Sequence, residues 1–281
     1  MKLLRYGTSG NERPGILDST GSIRDLSGVV SDIAGDVLSP GSLALIRSLN
    51  ISDLPLVPPA VRLGPCVSSV GKFICIGLNY SDHAAESGMA VPPEPVVFMK
   101  ATSAICGPND DIVMPRGATK VDWEVELGVV IGKEAKYVSE QEAREYIAGY
   151  CVVHDVSERA VQLEGTGQRV KGKSADTFGP LGPWLVTTDE IHDPQNLRLW
   201  LEVDGHRCQD GSTQTMIFGV SFLVSYLSRF MSLQPGDVIS TGTPPGVGLG
   251  RKPPVFLNVG NVVRLSVAGL GEQCQTVMQP V

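Results

Sequence analysis

Glycine and proline interrupt this chain so often that long regular helices have little room. The 281-residue sequence contains 32 glycines and 20 prolines, spread among many short apolar runs. Short apolar runs bounded by turn residues are typical of strands, whereas helices need longer uninterrupted periodic segments. The pattern therefore predicts an α+β fold that is rich in β-strands and has frequent turns.

Composition and charge exclude several classes of protein. Apolar residues make up 42% of the chain, which is enough for a sizeable core and argues against disorder. The net charge of −7 has no basic cluster beside it, so nucleic acid is not an expected partner. The six scattered cysteines form no C-x-x-C pair, and no apolar run reaches about 18 residues. We therefore expect a cytoplasmic protein that binds neither nucleic acid nor membrane.

A proline-dotted segment divides the sequence into two parts. The segment is LPLVPPAVRLGPC, residues 54 to 66, and its prolines favour extended backbone without ladder hydrogen bonds. We expect a small N-terminal α+β unit over residues 1–66, with a strand, a hairpin and two short helices, VVSDIAGDVL and PGSLALIRSL. Residues 67–281 read as a larger, strand-dominated domain with two helices, EQEAREYIAGY and IFGVSFLVSYLSRF.

The stretch VDWEVELGVVIG, residues 121 to 132, places carboxylates in an otherwise apolar strand. Side chains alternate along a strand, so Glu124 and Glu126 share one face, and Gly128 leaves room beside them. Asp155 ends a second apolar strand, GYCVVHD, and completes an all-oxygen set that suits Mg²⁺ or Mn²⁺ better than zinc. Asp122 lies on the same face by parity and is a possible fourth member. The alternative to a metal site is an ordinary strand face exposed to solvent. His154 is expected to face away and to be structural.

Two further motifs carry reactive side chains. His83 and Glu86 lie three apart in GLNYSDHAAESG, so a short helix there lets the carboxylate orient the imidazole as a general base. A routine surface pair is the alternative. Lys171 and Lys173 lie in a glycine-containing turn, where a lysine can hold a substrate carboxylate or an oxyanion, or is simply solvated. The loop STGTPPGVGLG, residues 240 to 250, is not a phosphate loop and resembles a backbone-lined substrate wall.

Six segments in this order resemble the fumarylacetoacetate hydrolase family. They are GLNYSDHAAE, PVVFMKATSAICGP, DWEVELGVVIG, GYCVVHDVSERAVQ, KGKSADTFGPLGPWLV and LQPGDVISTGTPPGVG. The resemblance implies a mixed, rolled β catalytic domain behind a small N-terminal domain, a homodimer, and a Mg²⁺ or Mn²⁺ site.

Carried over position by position, the family's functional residues fall on the motifs described above. The implied roles are metal ligation by Glu124, Glu126 and Asp155, catalysis by His83, Glu86 and Lys173, and substrate contact by Gln162 and Thr243. One departure is the residue before the metal-binding aspartate, which is histidine here where asparagine is common in the family.

The resemblance also implies a reaction. We expect metal-dependent hydrolysis of the C3–C4 bond of a 2,4-dioxo acid. The segments FICIGLNYSDHAAESGM and FMKATSAICGPNDDIVMP resemble bacterial members that convert 2,4-diketo-3-deoxy-L-rhamnonate to pyruvate and L-lactate. Acylpyruvate hydrolysis, oxaloacetate decarboxylation, ureidoglycolate cleavage and isomerisation of a hydroxyhepta-dienedioate remain alternatives within the family. A binding protein that merely uses a cation for stability is the non-enzymatic alternative.

Overall fold

The structure is a computed structural model that describes residues 1–86 and 88–279. Its helices are α1 (Pro40–Arg47), α2 (Ser81–Glu86), α3 (Arg159–Leu163), α4 (Arg169–Lys173) and α5 (Val220–Ser228). Its strands are β1 (Lys2–Tyr6), β2 (Arg13–Leu17), β3 (Ile23–Asp25), β4 (Phe73–Gly77), β5 (Val96–Lys100), β6 (Ile105–Cys106), β7 (Ile112–Val113), β8 (Val121–Asp122), β9 (Val125–Ile131), β10 (Ile147–His154), β11 (Ser157–Glu158), β12 (Gly179–Thr187), β13 (Arg198–Val203), β14 (His206–Ser212), β15 (Val238–Ser240), β16 (Val262–Val267) and β17 (Gly271–Met278).

Two large sheets organise these strands. The first has ten strands in the order β3-β2-β1-β12-β10-β9-β15-β4-β5, with β6 pairing alongside β12. It is mixed, because β15 runs parallel to β4 whereas β9 is antiparallel to both β10 and β15. The second has five strands in the order β14-β13-β16-β17-β7. The predicted strand-rich α+β class is therefore confirmed.

The main core lies between the two sheets. Leu127 and Val129 of β9 belong to the same buried cluster as Leu201 of β13 and Leu265 of β16. Every residue of β9 is buried, so its second face is also covered. On that face Gly128 makes room for packing and not for a ligand, because an added Cβ would lie 2.8 Å from the Cys151 sulfur. The expectation that Gly128 leaves space beside the carboxylates was wrong.

The N-terminal strands extend the large sheet. β1 pairs antiparallel with β12 in the register Leu3 to Leu185, and both leucines belong to one buried cluster. The same cluster includes Ile46 of α1 and Val153 of β10. The first 66 residues therefore share a sheet and a core with the rest of the chain, and the boundary at residue 67 stays a prediction.

Two of the expected helices differ from the structure. Residues 140–150 form only a 3₁₀ turn, Ala143–Tyr146, before β10 begins. The charged start of that segment favours helix, but its apolar end pairs with strands on both sides, and such tertiary contacts override local propensity. Within residues 29–38 only Gly35–Leu38 form a 3₁₀ turn, because Ala34 is extended and the left-handed φ of 48° at Gly35 does not fit a continuous right-handed helix. The helices expected over 40–49 and 217–230 were confirmed as α1 and α5.

We expect the Gly149→Ala substitution to destabilise the protein, because an added Cβ would lie 2.2 Å from the Val186 carbonyl oxygen in the centre of the sheet. Overpacking of this kind costs about 1–3 kcal/mol of unfolding free energy. Differential scanning calorimetry should show a lower melting temperature. The control is Gly41→Ala in α1, where no atom lies within 4 Å of the new Cβ and helix propensity improves. Equal melting temperatures for the two variants would contradict the described strand packing.

Candidate active site

Antiparallel pairing of β9 with β10 brings three acidic residues together. Glu126 lies on β9, Glu124 precedes that strand, and Asp155 follows β10. The Asp155 backbone N–H donates to the Glu124 carbonyl oxygen at 3.0 Å, which continues the ladder past the strand ends. Each residue offers an oxygen within 4.8 Å of those of the other two, and all three residues are buried. This is the grouping that strand alternation predicted.

Three basic side chains compensate two of these carboxylates. Lys173 Nζ donates to Glu124 Oε2 at 2.6 Å and to Asp155 Oδ2 at 2.7 Å. Lys100 Nζ donates to the other Asp155 oxygen, and Arg159 Nη2 donates to Glu124 Oε1 at 2.8 Å. Burial opposes ionisation of Glu124, but Lys173 and Arg159 outweigh it and hold the pKa of that carboxyl well below its usual range. Two of the acids thus have cationic partners within the protein interior.

Glu126 is held differently. It accepts hydrogen bonds from Ser240 Oγ at 2.6 Å and from the Gly242 backbone N–H at 2.8 Å. Burial and the neighbouring charges of Asp155 and Glu124 raise the pKa of Glu126 to about 8. A divalent cation among the three acids would offset this repulsion, and carboxylate oxygens are the donors that Mg²⁺ and Mn²⁺ prefer. The residues present therefore fit a site for a hard divalent cation.

Lys173 is buried, so the solvated-lysine alternative was wrong for it. Only 1% of the residue is exposed, and burial alone would lower its pKa. Asp155 and Glu124 outweigh that effect and raise the pKa of Lys173 to about 12. Lys171 is exposed on α4 and does not line the acidic site.

Asp122 is not a fourth member of the acidic group. Its carboxylate accepts from Arg159 Nε at 2.8 Å and from the backbone N–H groups of Gly248 and Leu249 at 2.7 and 3.0 Å. It therefore fixes the turn Gly248–Gly250 against β8 and orients the guanidinium group that reaches Glu124.

The expected histidine–glutamate pair forms on α2. His83 Nδ1 and Glu86 Oε2 are 3.1 Å apart. Glu86 also accepts from the Gly246 backbone N–H, at 3.0 Å to Oε1. The second contact ties α2 to the loop 240–250, which the sequence predicted to be a wall of the site.

A cavity of about 800 Å³ connects these groups. Its lining includes most of the predicted site residues, namely His83, Glu86, Glu124, Glu126, Gln162, Lys173 and Thr243. Asp155 lies behind Lys173 with no exposed surface. Arg159 Nη1 donates to Gln162 Oε1 at 2.9 Å, and Thr243 Oγ1 donates to the Val125 carbonyl oxygen at 2.9 Å.

Three side chains were missed by sequence reasoning. Lys100 and Arg159 contact the acidic group, and Gln209 holds Thr243 through a 2.8 Å bond from Nε2 to Oγ1. One feature of the sequence could have pointed to Lys100, because it is the charged last residue of the otherwise apolar strand β5. His154 is structural, as expected: its Nδ1 lies 3.0 Å from Gln275 Oε1, and burial lowers its pKa to about 4.

Comparison with known proteins identifies the family. Residues 72–278 match the model of the fumarylacetoacetate (FAA) hydrolase C-terminal domain. The chain belongs to the fumarylacetoacetate hydrolase family. A Burkholderia orbicola (strain MC0-3) protein with only a provisional hydrolase name is 66% identical over 276 residues, which cover 98% of each chain.

Solved structures of two family enzymes share the fold. A 2-hydroxyhepta-2,4-diene-1,7-dioate isomerase from Mycobacterium marinum is 34% identical, with a TM-score of 0.78 over 99% of this chain and 98% of that one. Maleylpyruvate hydrolase from Sphingobium sp. SYK-6, solved with manganese(II) and pyruvate, is 28% identical, with a TM-score of 0.83 over 100% of both chains. This family enzyme thus resembles both hydrolases and isomerases. In the part of the chain that the structure describes, no helix is long and apolar enough to cross a membrane.

We expect Glu126→Gln to weaken Mn²⁺ binding by more than about 100-fold, since even partners outside the ligand shell contribute about 10- to 100-fold. Isothermal titration calorimetry of the purified variant measures this affinity, and circular dichroism checks its fold. Asp237→Asn is the control, because Asp237 is an equally buried carboxylate that binds backbone N–H groups away from the site. It should keep the Mn²⁺ affinity even where stability falls. Wild-type affinity in Glu126→Gln would contradict a role for Glu126 in metal binding.

Proposed function

We propose that this family member is a metal-dependent hydrolase that cleaves the C3–C4 bond of a 2,4-dioxo acid. The observation that carries the proposal is the position of the His83–Glu86 pair in the same cavity as the acidic group and Lys173. Hydrolysis needs a base for water as well as a site for the enolate that leaves, and the cavity offers residues for both. Isomerisation or decarboxylation of a 2-oxo acid needs no activated water.

The metal site consists of Glu124, Glu126 and Asp155, with Mg²⁺ or Mn²⁺ as the cation. When bound, the cation supplies Lewis-acid stabilisation of the oxygens at the 2-oxo acid end of the substrate. The similar maleylpyruvate hydrolase, which was solved with manganese(II) and pyruvate, supports this part of the proposal. The Gln162 amide oxygen is occupied by Arg159, so its NH₂ group faces the cavity as a donor to the substrate.

His83 acts as the general base. Its Nδ1–H donates to Glu86, which leaves Nε2 as the acceptor for a proton from water. The activated water attacks the C4 carbonyl carbon, and the Glu86 carboxylate stabilises the imidazolium that forms. Breaking the C3–C4 bond then releases the acid derived from the acyl group, and C3 takes the proton back as the pyruvate enolate is quenched.

Lys173 stabilises the oxyanion that forms at C4. Its ammonium group has three donors, and two are committed to Glu124 and Asp155. The third is available to the substrate, where a charged donor stabilises the developing negative charge. Thr243, held by Gln209 and Val125, forms a fixed part of the cavity wall for substrate contact.

Within this reaction class, sequence resemblance supplies 2,4-diketo-3-deoxy-L-rhamnonate as one candidate substrate, with pyruvate and L-lactate as products. Acylpyruvates are the second group of candidates. Resemblance also implies a homodimer in the cytoplasm. Size-exclusion chromatography with light scattering tests the dimer directly.

We expect the purified enzyme to release pyruvate from a 2,4-dioxo acid only when a divalent cation is present. A lactate dehydrogenase-coupled assay with the deoxyrhamnonate diketone and acetylpyruvate, each with Mg²⁺, Mn²⁺ or EDTA, measures this. Oxaloacetate serves as the decarboxylation control. An equimolar second acid establishes hydrolysis. Pyruvate from oxaloacetate alone would favour decarboxylation over hydrolysis. No pyruvate from any diketone or from oxaloacetate would favour isomerisation over hydrolysis.

We expect His83→Ala to lower kcat by about 10²- to 10⁴-fold, the usual contribution of a general base. The Mn²⁺ affinity should stay within twofold of the wild type, because His83 does not contact the acidic group. His206→Ala is the matched control, since His206 is exposed on β14, its Nδ1 lies 3.1 Å from the Asp204 carbonyl oxygen, and it does not line the cavity. Unchanged turnover in His83→Ala would eliminate this base.

A further inference from the structure

The cavity has an outer part with positive charge that the proposed reaction does not use. Arg169 and Lys173 are the first and last residues of α4, so they lie one helical turn apart on the same face. Both approach the ring of Phe98: Lys173 Nζ lies 5.2 Å and Arg169 Cζ 5.9 Å from its centroid. Arg169 therefore lies about 6 Å along α4 from Lys173, on the same side of the helix.

The lack of a side chain at Gly77 leaves space for the Arg169 side chain. At Gly77, the last residue of β4, an added Cβ would lie 2.4 Å from Arg169 Nη1. The φ angle of Gly77 is not positive, so the absence of a side chain serves close approach and not backbone conformation. The guanidinium group is thus packed between the end of β4 and the Phe98 ring at the cavity wall.

A second guanidinium group lies on another wall. Arg251 follows the turn Gly248–Gly250, which Asp122 fixes in place, and its Cζ lies 5.8 Å from the ring centroid of Trp123. The neighbouring Lys252 also lines the cavity. Trp123 is buried next to Glu124, so Arg251 faces the same cavity from the side of β8 and β9.

The outer cations differ from the inner ones in their partners. Lys100, Lys173 and Arg159 are all paired with carboxylates. Among the residues that the structure describes, no carboxylate forms an ion pair or hydrogen bond with Arg169 or Arg251, and each guanidinium group lies beside an aromatic ring. Two half-buried guanidinium groups that face one cavity without a protein anion are arranged to receive an anion from the ligand.

We propose that Arg169 and Arg251 form a subsite for a carboxylate at the end of the substrate farthest from the acidic group. The preferred substrates are then dicarboxylates, with the 2-oxo acid at the acidic group and the second carboxylate between the two arginines. This inference rests on the proposed function for the orientation of the substrate. The deoxyrhamnonate diketone ends in an uncharged group, so a dicarboxylate is the better candidate.

The test compares matched ligands whose binding does not require turnover. In the presence of Mn²⁺, isothermal titration calorimetry should show that the wild type binds 2-oxoadipate at least tenfold more tightly than 2-oxohexanoate, which lacks the second carboxylate. Arg169→Gln and Arg251→Gln should each reduce that preference at least threefold, and the double variant should abolish it. Binding of 2-oxohexanoate should stay within twofold in every variant.

Arg207→Gln is the matched control, because Arg207 also packs over a tryptophan, Trp200, but outside the cavity. It should keep the wild-type preference. Equal affinity of the wild type for the two acids, no measurable binding of either, or an intact preference in the double variant would overturn the subsite. Turnover of 2,4-dioxoheptanedioate and 2,4-dioxoheptanoate is measured separately. Pyruvate from neither of these acids, nor from the deoxyrhamnonate diketone or acetylpyruvate, would refute the proposed hydrolysis, while calorimetry still decides the subsite.

Discussion

Burial of three carboxylates in one place is the constraint on which the rest of the site depends. The pairing of β9 with β10 makes their approach unavoidable, and charges removed from water this far are costly unless they are compensated. Lys173 serves two of the acids at once, with Lys100 and Arg159 on their outer oxygens. Glu126 has only neutral donors, so it is the acid for which a cation brings the greatest relief.

A chain of hydrogen bonds extends from this group to the edge of the cavity. Arg159 contacts Glu124 and Asp122, and Asp122 in turn holds the turn Gly248–Gly250. The preceding residues of the same loop reach Glu86 through the Gly246 N–H. The acidic group and the base on α2 are therefore connected through one loop, although α2 and that loop are about 160 residues apart in sequence.

Local patterns in the sequence predicted the acidic group because the information was local. Strand alternation places Glu124 and Glu126 together, and the end of an apolar run marks Asp155. The roles of Lys100 and Arg159 depend on which strands become neighbours, and nothing within either segment shows that. Asp122 has the same parity as the two glutamates, yet the backbone N–H groups of a loop more than 120 residues away take its oxygens.

The same limit explains the errors in secondary structure. The residues from 140 to 146 have a charged, helix-favouring composition, and only the two neighbouring strands make β10 begin where it does. Gly128 was misread because its neighbours Cys151 and Val153 come from the partner strand. In the N-terminal segment the strand, the hairpin and the second helix were read correctly and the first helix was not, and pairing with β12 joins the segment to the large sheet.

The cavity is built from two kinds of structure. Its inner end is formed by long central strands buried on both faces, where almost any substitution disturbs packing. Its outer end is lined by Arg169 and Arg251, which are half-buried on a short helix and beside a turn. Substitutions at these two outer positions can therefore change what the outer end accepts and leave the carboxylates of the inner end in place. A family built this way can diversify its substrates while its reaction centre stays fixed.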